Sequence, residues 1–236
     1  MRVFIAIILI ALTNMNFKTQ DVPDSLHYLV KHPKTENKKT PLIILLHGVG
    51  SNEADLFSFA NQLPENYLVV SARAPHTLGQ GSYAWYQVDF SSGKPVYNPK
   101  QAEASRQIIL KFIEELKKKF TFNHQEIYLC GFSQGAIMSY AVGLSNPDQV
   151  KGMAIMSGRL LDETKSLVNK DKVKSLKVFI SHGTEDPVLG VHYAREAKQY
   201  LNGLGLEPVY KEYKDVHTIN QTMLKDLINW LQNRGG

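Results

Sequence analysis

Short apolar runs alternate with segments of helical period along most of the chain. Residues 41–46 and 127–130 are continuous apolar runs, whereas residues 101–120 place their apolar side chains on one stripe and their charged side chains largely elsewhere. Continuous apolar runs are typical of strands buried on both faces of a parallel sheet, and the stripe is typical of a covering helix. The pattern therefore predicts an α/β fold with a mostly parallel central sheet and helices on both faces.

The same pattern gives the other elements and the domain organisation. Residues 74–99 lack a regular period and collect glycine and proline, so we predict an ordered loop or cap over a site there. A length of 236 residues is typical of a single domain, which we place at residues 21–236. Further strands are predicted at residues 26–31, 67–71, 152–156, 178–181 and 209–213, and further helices at 136–144, 192–202 and 219–232. The sheet should have about six to eight strands.

The first residues resemble a secretory signal. Arg2 is followed by an apolar run to Leu12 that is too short to span a bilayer, so we predict a cleaved segment within residues 1–20, export to the periplasm or medium, and no stable membrane insertion. The cleavage site around Ala11 is poor, and Met15 offers a second start that would delete the run. The alternative is a cytoplasmic protein with a mis-assigned start.

Charge and cysteine content exclude several classes of protein. The net charge is +5 and the pI about 9.1, but the lysines are spread over predicted solvated helix faces and are not interleaved with aromatic residues, so we expect no nucleic-acid partner. Cys130 is the single cysteine, which excludes an intrachain disulfide and a cysteine-based metal cluster.

A glycine-flanked serine lies between the predicted strand at 127–130 and the apolar helix at 136–144. The turn Gly131-Phe132-Ser133-Gln134-Gly135 matches G-x-S-x-G, in which a sharp strand-to-helix turn strains the serine and lifts its hydroxyl clear of the sheet. A side chain at either glycine would collide with a neighbouring element. Ser133 is therefore the candidate nucleophile. The alternative is a serine that only caps the helix.

Acyl transfer at Ser133 would need two backbone N–H donors for the developing oxyanion. One is expected from Gln134, directly after the serine, and the other from the glycine-containing turn after residues 41–46, where we choose Val49. The alternative for that turn is a simple strand ending. Asn52 and Asp55 are interpreted as capping the next helix, and His47 as structural.

The order Ser, acid, His, each beyond the carboxyl end of a strand, selects the remaining candidates. Of the eight histidines, His182, His192 and His217 follow Ser133. His182 precedes the candidate acid and His192 opens a helix, so a local structural or surface role is favoured for both. His217 follows the strand at 209–213 and precedes the last helix, and it is the candidate general base; the alternative is a solvated loop histidine.

The carboxylate should lie in the loop after residues 178–181. Asp186 is preferred over Glu185 because Pro187 fixes the turn beyond it. Asp186 would orient the His217 ring, and His217 would take the Ser133 proton and return it to the leaving group. The predicted reaction runs through acylation of Ser133 and hydrolysis by an activated water, and it needs no metal and no organic cofactor.

With these residues in place, the chain resembles the phospholipase/carboxylesterase family, which includes bacterial carboxylesterases and acyl-protein thioesterases. The resemblance spans about residues 25–230. It is carried by Leu46-His47-Gly48-Val49-Gly50, by the serine turn including Phe132 and Gln134, by His182-Gly183 leading to Asp186-Pro187-Val188, and by His217. It implies an α/β-hydrolase that acts on small-molecule esters of short to medium acyl chains, thioesters or lysolipids, and that often forms homodimers.

The resemblance also bears on specificity. Thioesterase members typically carry aspartate directly after the oxyanion-loop glycine, where this chain has Ser51, so protein depalmitoylation is the less expected specialisation. Trp85 is a candidate for the substrate pocket or, equally, for a loop anchor. Leu189 is a candidate for the pocket or for packing at a helix entry. The alternatives to a carboxylesterase are a lysophospholipase or thioesterase with the same three residues, and a non-catalytic binding protein on this scaffold.

Overall fold

The structure is a computed structural model that describes residues 25–89, 91 and 96–233. The predicted leader lies outside the described residues, so the signal peptide, the alternative start and the cellular location stay predictions. Along the chain the strands are β1 Tyr28–Lys31, β2 Leu42–Leu46, β3 Leu68–Ala72, β4 His76–Gly79, β5 Ser82–Ala84, β6 Val88–Asp89, β7 Val96–Tyr97, β8 Ile127–Phe132, β9 Gly152–Met156, β10 Lys177–Gly183 and β11 Val209–Tyr213. The helices are α1 Glu53–Phe57, α2 Pro99–Lys119, α3 Gln134–Ser145, α4 Asp162–Lys165, α5 His192–Gly203 and α6 Gln221–Gln232.

Seven strands form the central sheet in the order β1-β3-β2-β8-β9-β10-β11. Only β1 pairs antiparallel, along β3, and the other neighbours pair parallel. The carboxyl ends of the parallel strands therefore lie at one edge of the sheet, where ligands bind in open α/β folds. The predicted fold class and strand number are confirmed.

Helices cover both faces of the sheet because its central strands are apolar on both sides. All five residues of β2, β3 and β9 are buried. Side chains of α2, α3 and α5 pack in one apolar cluster with one face, and side chains of α1 and α6 pack in a second cluster with the other face. No helix among the described residues combines the length and the apolar character that crossing a bilayer requires.

The predicted cap at residues 74–99 contains regular structure that the sequence pattern does not show. Strands β4 and β5 form one antiparallel hairpin, and β6 and β7 form another. A bridge between Ser51 and Tyr83 connects the first hairpin to the loop after β2. Each of these strands is two to four residues long, which is too short for alternation to be recognised in the sequence.

Candidate active site

Ser133 lies in the sharp turn between β8 and α3. Its φ of 52° and ψ of −115° place it in the left-handed half of conformational space, which a residue other than glycine rarely adopts and which marks backbone strain at functional sites. The flanking glycines make the turn possible. A Cβ on Gly131 would lie 2.3 Å from the carbonyl of Gly135, and a Cβ on Gly135 would lie 1.9 Å from the carbonyl oxygen of Leu46.

His217 and Asp186, which are far from Ser133 in the sequence, form a hydrogen-bonded series with it at the carboxyl edge of the sheet. His217 Nε2 lies 2.9 Å from Ser133 Oγ, and His217 Nδ1 lies 2.6 Å from Asp186 Oδ2. With its proton on Nδ1, the ring donates to the carboxylate and accepts from the serine hydroxyl. The Asp186 side chain is buried and His217 is 14% exposed. The structure thus brings together the three residues that the sequence order selected.

Backbone hydrogen bonds hold the loops that carry Asp186 and His217 against each other. The Thr184 N–H donates to the Tyr213 carbonyl over 2.7 Å, and the Glu185 N–H donates to the Asp215 carbonyl over 3.0 Å. The two loops leave adjacent parallel strands, β10 and β11. The distance between the carboxylate and the imidazole is therefore set by the main chain.

Asp186, rather than its neighbour Glu185, faces the imidazole. Its Oδ1 accepts from the backbone N–H groups of Val188 and Leu189 over 2.8 and 2.9 Å. Glu185 is exposed, whereas Asp186 is 7% exposed. The turn that begins at Pro187 thus supplies the donors that hold the carboxylate, in agreement with the reason for which Asp186 was preferred.

His182 contributes more to this arrangement than sequence reasoning assigned to it. Its Nε2 lies 2.6 Å from the Leu189 carbonyl oxygen and 3.2 Å from Asp186 Oδ2. The ring is fully buried, and burial lowers the pKa of His182 below its usual value. The neutral ring donates through Nε2 to the loop that carries Asp186. Its Nδ1 has no hydrogen-bond partner among the described residues.

The two candidate oxyanion donors lie beside the serine. Gln134 begins α3, so its N–H is one of the donors that a helix start leaves free, and the helix dipole favours negative charge there. Val49 lines the same cleft as Ser133, and within the described part of the chain its N–H makes no hydrogen bond. The adjacent Gly50 N–H donates to the Tyr83 carbonyl over 2.8 Å, which fixes the loop.

His47 has the structural role that we expected. The Ala74 N–H donates to its Nε2 over 3.0 Å, and its Nδ1 lies 2.7 Å from the Gly48 carbonyl oxygen. Burial lowers the pKa of His47, in keeping with a neutral ring that accepts at one nitrogen and donates at the other. The ring therefore holds the start of the loop that carries Val49.

The Gln134 side chain connects the residues after the first cap hairpin to the serine turn, a role that no sequence motif indicates. Its Oε1 accepts from the Trp85 N–H, and its Nε2 donates to the Tyr86 carbonyl, each over 2.7 Å. Trp85 is fully buried, and its indole N–H donates to the His47 carbonyl over 2.9 Å. Of the two roles considered for Trp85, the structure therefore gives the loop anchor and not the pocket wall.

A narrow cleft of about 50 Å³ opens beside Ser133. By that measure it has room for a few water molecules, which suits a small acyl or alcohol group. Leu189 lines it, and the neighbouring Tyr86 lies in the wall in place of Trp85. The lining residues are Val49, Tyr86, Val88, Ser133, Gln134, Ile137, Arg159, Val188 and Leu189.

Elsewhere in the described part of the chain, the grooves and side-chain clusters show no comparable chemistry. A larger groove of about 420 Å³, with Thr40, Pro41 and Asn66 in its walls, lies at the amino ends of β2 and β3, away from Ser133. Among the residues that the structure describes, histidine, cysteine and carboxylate side chains do not form a group that could hold a metal ion. The carboxyl edge of the sheet is therefore the candidate site.

Comparisons with known proteins show the family of this chain. Residues 29–234 match the model of the phospholipase/carboxylesterase family. Acyl-protein thioesterase 1 of Candida albicans is 27% identical over 226 residues, which cover 86% of this chain and 96% of the relative. Carboxylesterase SOBER1 of Arabidopsis thaliana is 26% identical over 207 residues, which cover 81% of this chain and 90% of the relative.

Solved structures share the fold. The crystal structure of esterase PE8 has a TM-score of 0.75 at 25% identity and covers 89% of this chain and 99% of its own. The Bacillus cereus carboxylesterase has a TM-score of 0.77 at 21% identity and covers 89% of this chain and 94% of its own. With a family match over most of its length, this chain is an enzyme of the serine hydrolase class and belongs to the phospholipase/carboxylesterase family.

Proposed function

We propose that this protein is a serine carboxylesterase that hydrolyses esters of short to medium acyl chains through an acyl-enzyme at Ser133. The observation that carries the proposal is the hydrogen-bonded series Ser133–His217–Asp186, with distances of 2.9 and 2.6 Å. An activated hydroxyl, a base and an orienting carboxylate are the parts that covalent acyl transfer needs.

The first half-reaction forms the acyl-enzyme. His217 Nε2 takes the proton of Ser133 as the hydroxyl oxygen attacks the ester carbonyl carbon, and the negative charge that develops on the carbonyl oxygen is stabilised by the N–H groups of Val49 and Gln134. His217 then gives its proton to the leaving alkoxide as the carbon–oxygen bond breaks, and the alcohol departs. Asp186 stabilises the imidazolium between these steps.

The second half-reaction returns the enzyme to its starting state. His217 takes a proton from a water molecule, whose oxygen attacks the acyl carbon, and the same two N–H donors stabilise the oxyanion again. The bond to Ser133 Oγ breaks, and His217 returns the proton to Ser133. The acid product leaves, so that one water is consumed for each ester cleaved.

The small cleft supports short acyl groups over long ones. Its volume of about 50 Å³ is well below that of sites that enclose drug-sized ligands. A lysophospholipase or acyl thioesterase with the same three residues is the second candidate, favoured by the similarity to acyl-protein thioesterase 1. A binding protein on this scaffold would have no need to keep all three residues at hydrogen-bonding distance.

The test compares the parent with Ser133→Ala on p-nitrophenyl esters of increasing chain length, acyl thioesters and lysolipids. We expect Ser133→Ala to keep its thermal unfolding midpoint and to lose about a thousandfold or more in kcat. Ser58→Ala, at an exposed serine after α1, is the matched control and should keep parental turnover. Parental turnover by Ser133→Ala would refute the acyl-enzyme. A preference for thioesters or lysolipids over simple esters would favour the second candidate.

A further inference from the structure

Among the residues that the structure describes, one cation, Arg159, lines the cleft beside Ser133. Arg159 follows β9 by three residues, so it lies at the same carboxyl edge of the sheet as the turn that carries the serine. The other side chains that line the cleft include Val49, Ile137 and Leu189, and none of the lining residues carries a carboxylate. Within the described lining of the cleft, a single positive charge therefore lies in a mostly apolar wall.

The guanidinium of Arg159 lies against two aromatic rings, and none of the described acidic side chains forms an ion pair with it. Its central carbon lies 5.4 Å from the centre of the Tyr97 ring and 5.8 Å from the centre of the Tyr193 ring. These are cation–π distances, which position the charge without neutralising it. In the part of the chain that the structure describes, Arg159 makes no ion pair and no hydrogen bond.

The acidic side chains near Arg159 bind other groups. Asp162 forms an ion pair with Lys165 over 2.7 Å, and Glu163 accepts a hydrogen bond from the Tyr97 hydroxyl over 2.8 Å. The N–H groups of the guanidinium thus stay available. A guanidinium presents them in a planar fork that matches the two oxygens of a carboxylate, and an apolar wall strengthens such a pair.

We propose that Arg159 binds a carboxylate on the substrate, so that the preferred ester carries a second, anionic group beyond the bond that is cleaved. This inference rests on the proposed function, because it assigns the substrate class of the Ser133 site. It makes Arg159 a specificity-determining residue that takes no part in the proton transfers.

The experiment uses two pairs of esters that differ in one carboxylate. Mono-p-nitrophenyl adipate and p-nitrophenyl hexanoate place the charge on the acyl side, and 3-acetoxybenzoate and phenyl acetate place it on the alcohol side. For the parent we expect a higher kcat/KM for the anionic member of one pair. The pair that shows this preference tells whether Arg159 binds a carboxylate on the acyl side or on the alcohol side of the ester. Arg159→Met should lower that anionic-to-neutral ratio by about tenfold or more, and Arg159→Lys should lower it less.

Two controls make the result specific. Lys198→Met removes a cation of equal charge that lies over the Tyr210 ring, outside the cleft, and should leave the ratio at the parental value. Ser133→Ala separates the two proposals. If Ser133→Ala loses turnover while Arg159→Met keeps the parental ratio in both pairs, the carboxylate site is refuted and the esterase stands. If Ser133→Ala keeps turnover, the esterase proposal fails first, and the inference about Arg159 fails with it.

Discussion

The Nε2 atom of His182 lies 3.2 Å from Asp186 Oδ2, the same oxygen that His217 Nδ1 approaches to 2.6 Å. It also lies 2.6 Å from the carbonyl oxygen of Leu189. Both of these neighbours are hydrogen-bond acceptors, so Nε2 carries the ring proton and donates to them. A buried histidine that takes no part in proton transfer thereby fixes the carboxylate that orients the candidate base.

Replacing this buried imidazole should impair turnover more than substrate binding. In His182→Leu the loop that carries Asp186 loses its donor. We expect kcat to fall by about 10- to 100-fold with a smaller change in KM, because the carboxylate that orients His217 shifts, whereas Leu189 is the one described cleft residue that loses a bond to His182. His182→Asn, whose amide can still donate, should recover part of the loss. Steady-state kinetics on a short p-nitrophenyl ester, with thermal unfolding to verify folding, measure this. Equal kcat values for parent, His182→Leu and His182→Asn would contradict a positioning role.

The Gln134 side chain should matter for stability, although its predicted part in catalysis is a main-chain N–H. Gln134→Ala leaves the Trp85 N–H and the Tyr86 carbonyl buried without partners, which should lower the free energy of unfolding by about 3 kcal/mol. The backbone donor remains, so the loss of ester turnover should be far smaller than in Ser133→Ala. Urea unfolding and ester kinetics measure the two effects.

Gln107→Ala, at an exposed glutamine on α2, serves as the control. A loss of kcat as large as that in Ser133→Ala, in folded protein, would count against the main-chain assignment.

Stability should fall as the pH is lowered from neutral. Burial lowers the folded-state pKa of His47, His76 and His182 below the unfolded value of 6.5. Below pH 6.5 the unfolded chain binds protons that the folded protein does not, so the free energy of unfolding decreases as the pH falls; above that value these groups are neutral in both states and contribute no pH dependence. The urea midpoint should therefore decline between pH 7 and pH 5.

The variant His76→Gln tests the cause of this decline. His76 is buried, and its Nε2 has no partner among the described residues, so a side chain that does not titrate should make the pH dependence shallower. His124→Gln replaces a histidine outside the buried set and is the control. A midpoint that stays constant from pH 7 to pH 5 would show that the three buried rings do not carry the acid sensitivity. An unchanged slope of the midpoint against pH in His76→Gln would show that His76 does not contribute to it.

The sequence pattern predicted the sheet well because its central strands are continuous apolar runs and β11 shows a regular alternation. Strands β9 and β11 have the predicted bounds, and α6 ends at the predicted residue. Helix α4 and the two cap hairpins were not predicted, since elements of two to four residues are too short to show a period.

Some residues of the candidate site could likewise be predicted from the sequence, and others could not. Ser133, Asp186 and His217 could be selected because motif, chain order and strand ends restrict the choice. The role of Trp85 could not be selected, because an aromatic residue in a loop serves equally as an anchor or as a pocket wall, and only its contact with the His47 carbonyl separates the two. Arg159 belongs to no recognised sequence motif, and only the structure shows that it lines the cleft.

The two cap hairpins differ in how they are attached, and this has a practical consequence for engineering. Tyr83 of the β4–β5 hairpin is hydrogen-bonded to the loop that carries Val49, and the residues that follow this hairpin are hydrogen-bonded to Gln134. In the β6–β7 hairpin, by contrast, Val88 lines the cleft and Tyr97 contacts Arg159. We therefore expect that a library of new sequences in the second hairpin alters substrate choice while Ser133, His217 and Asp186 keep their contacts. Randomising the first hairpin is instead expected to disturb the loop that carries Val49 and to lower stability at the same time.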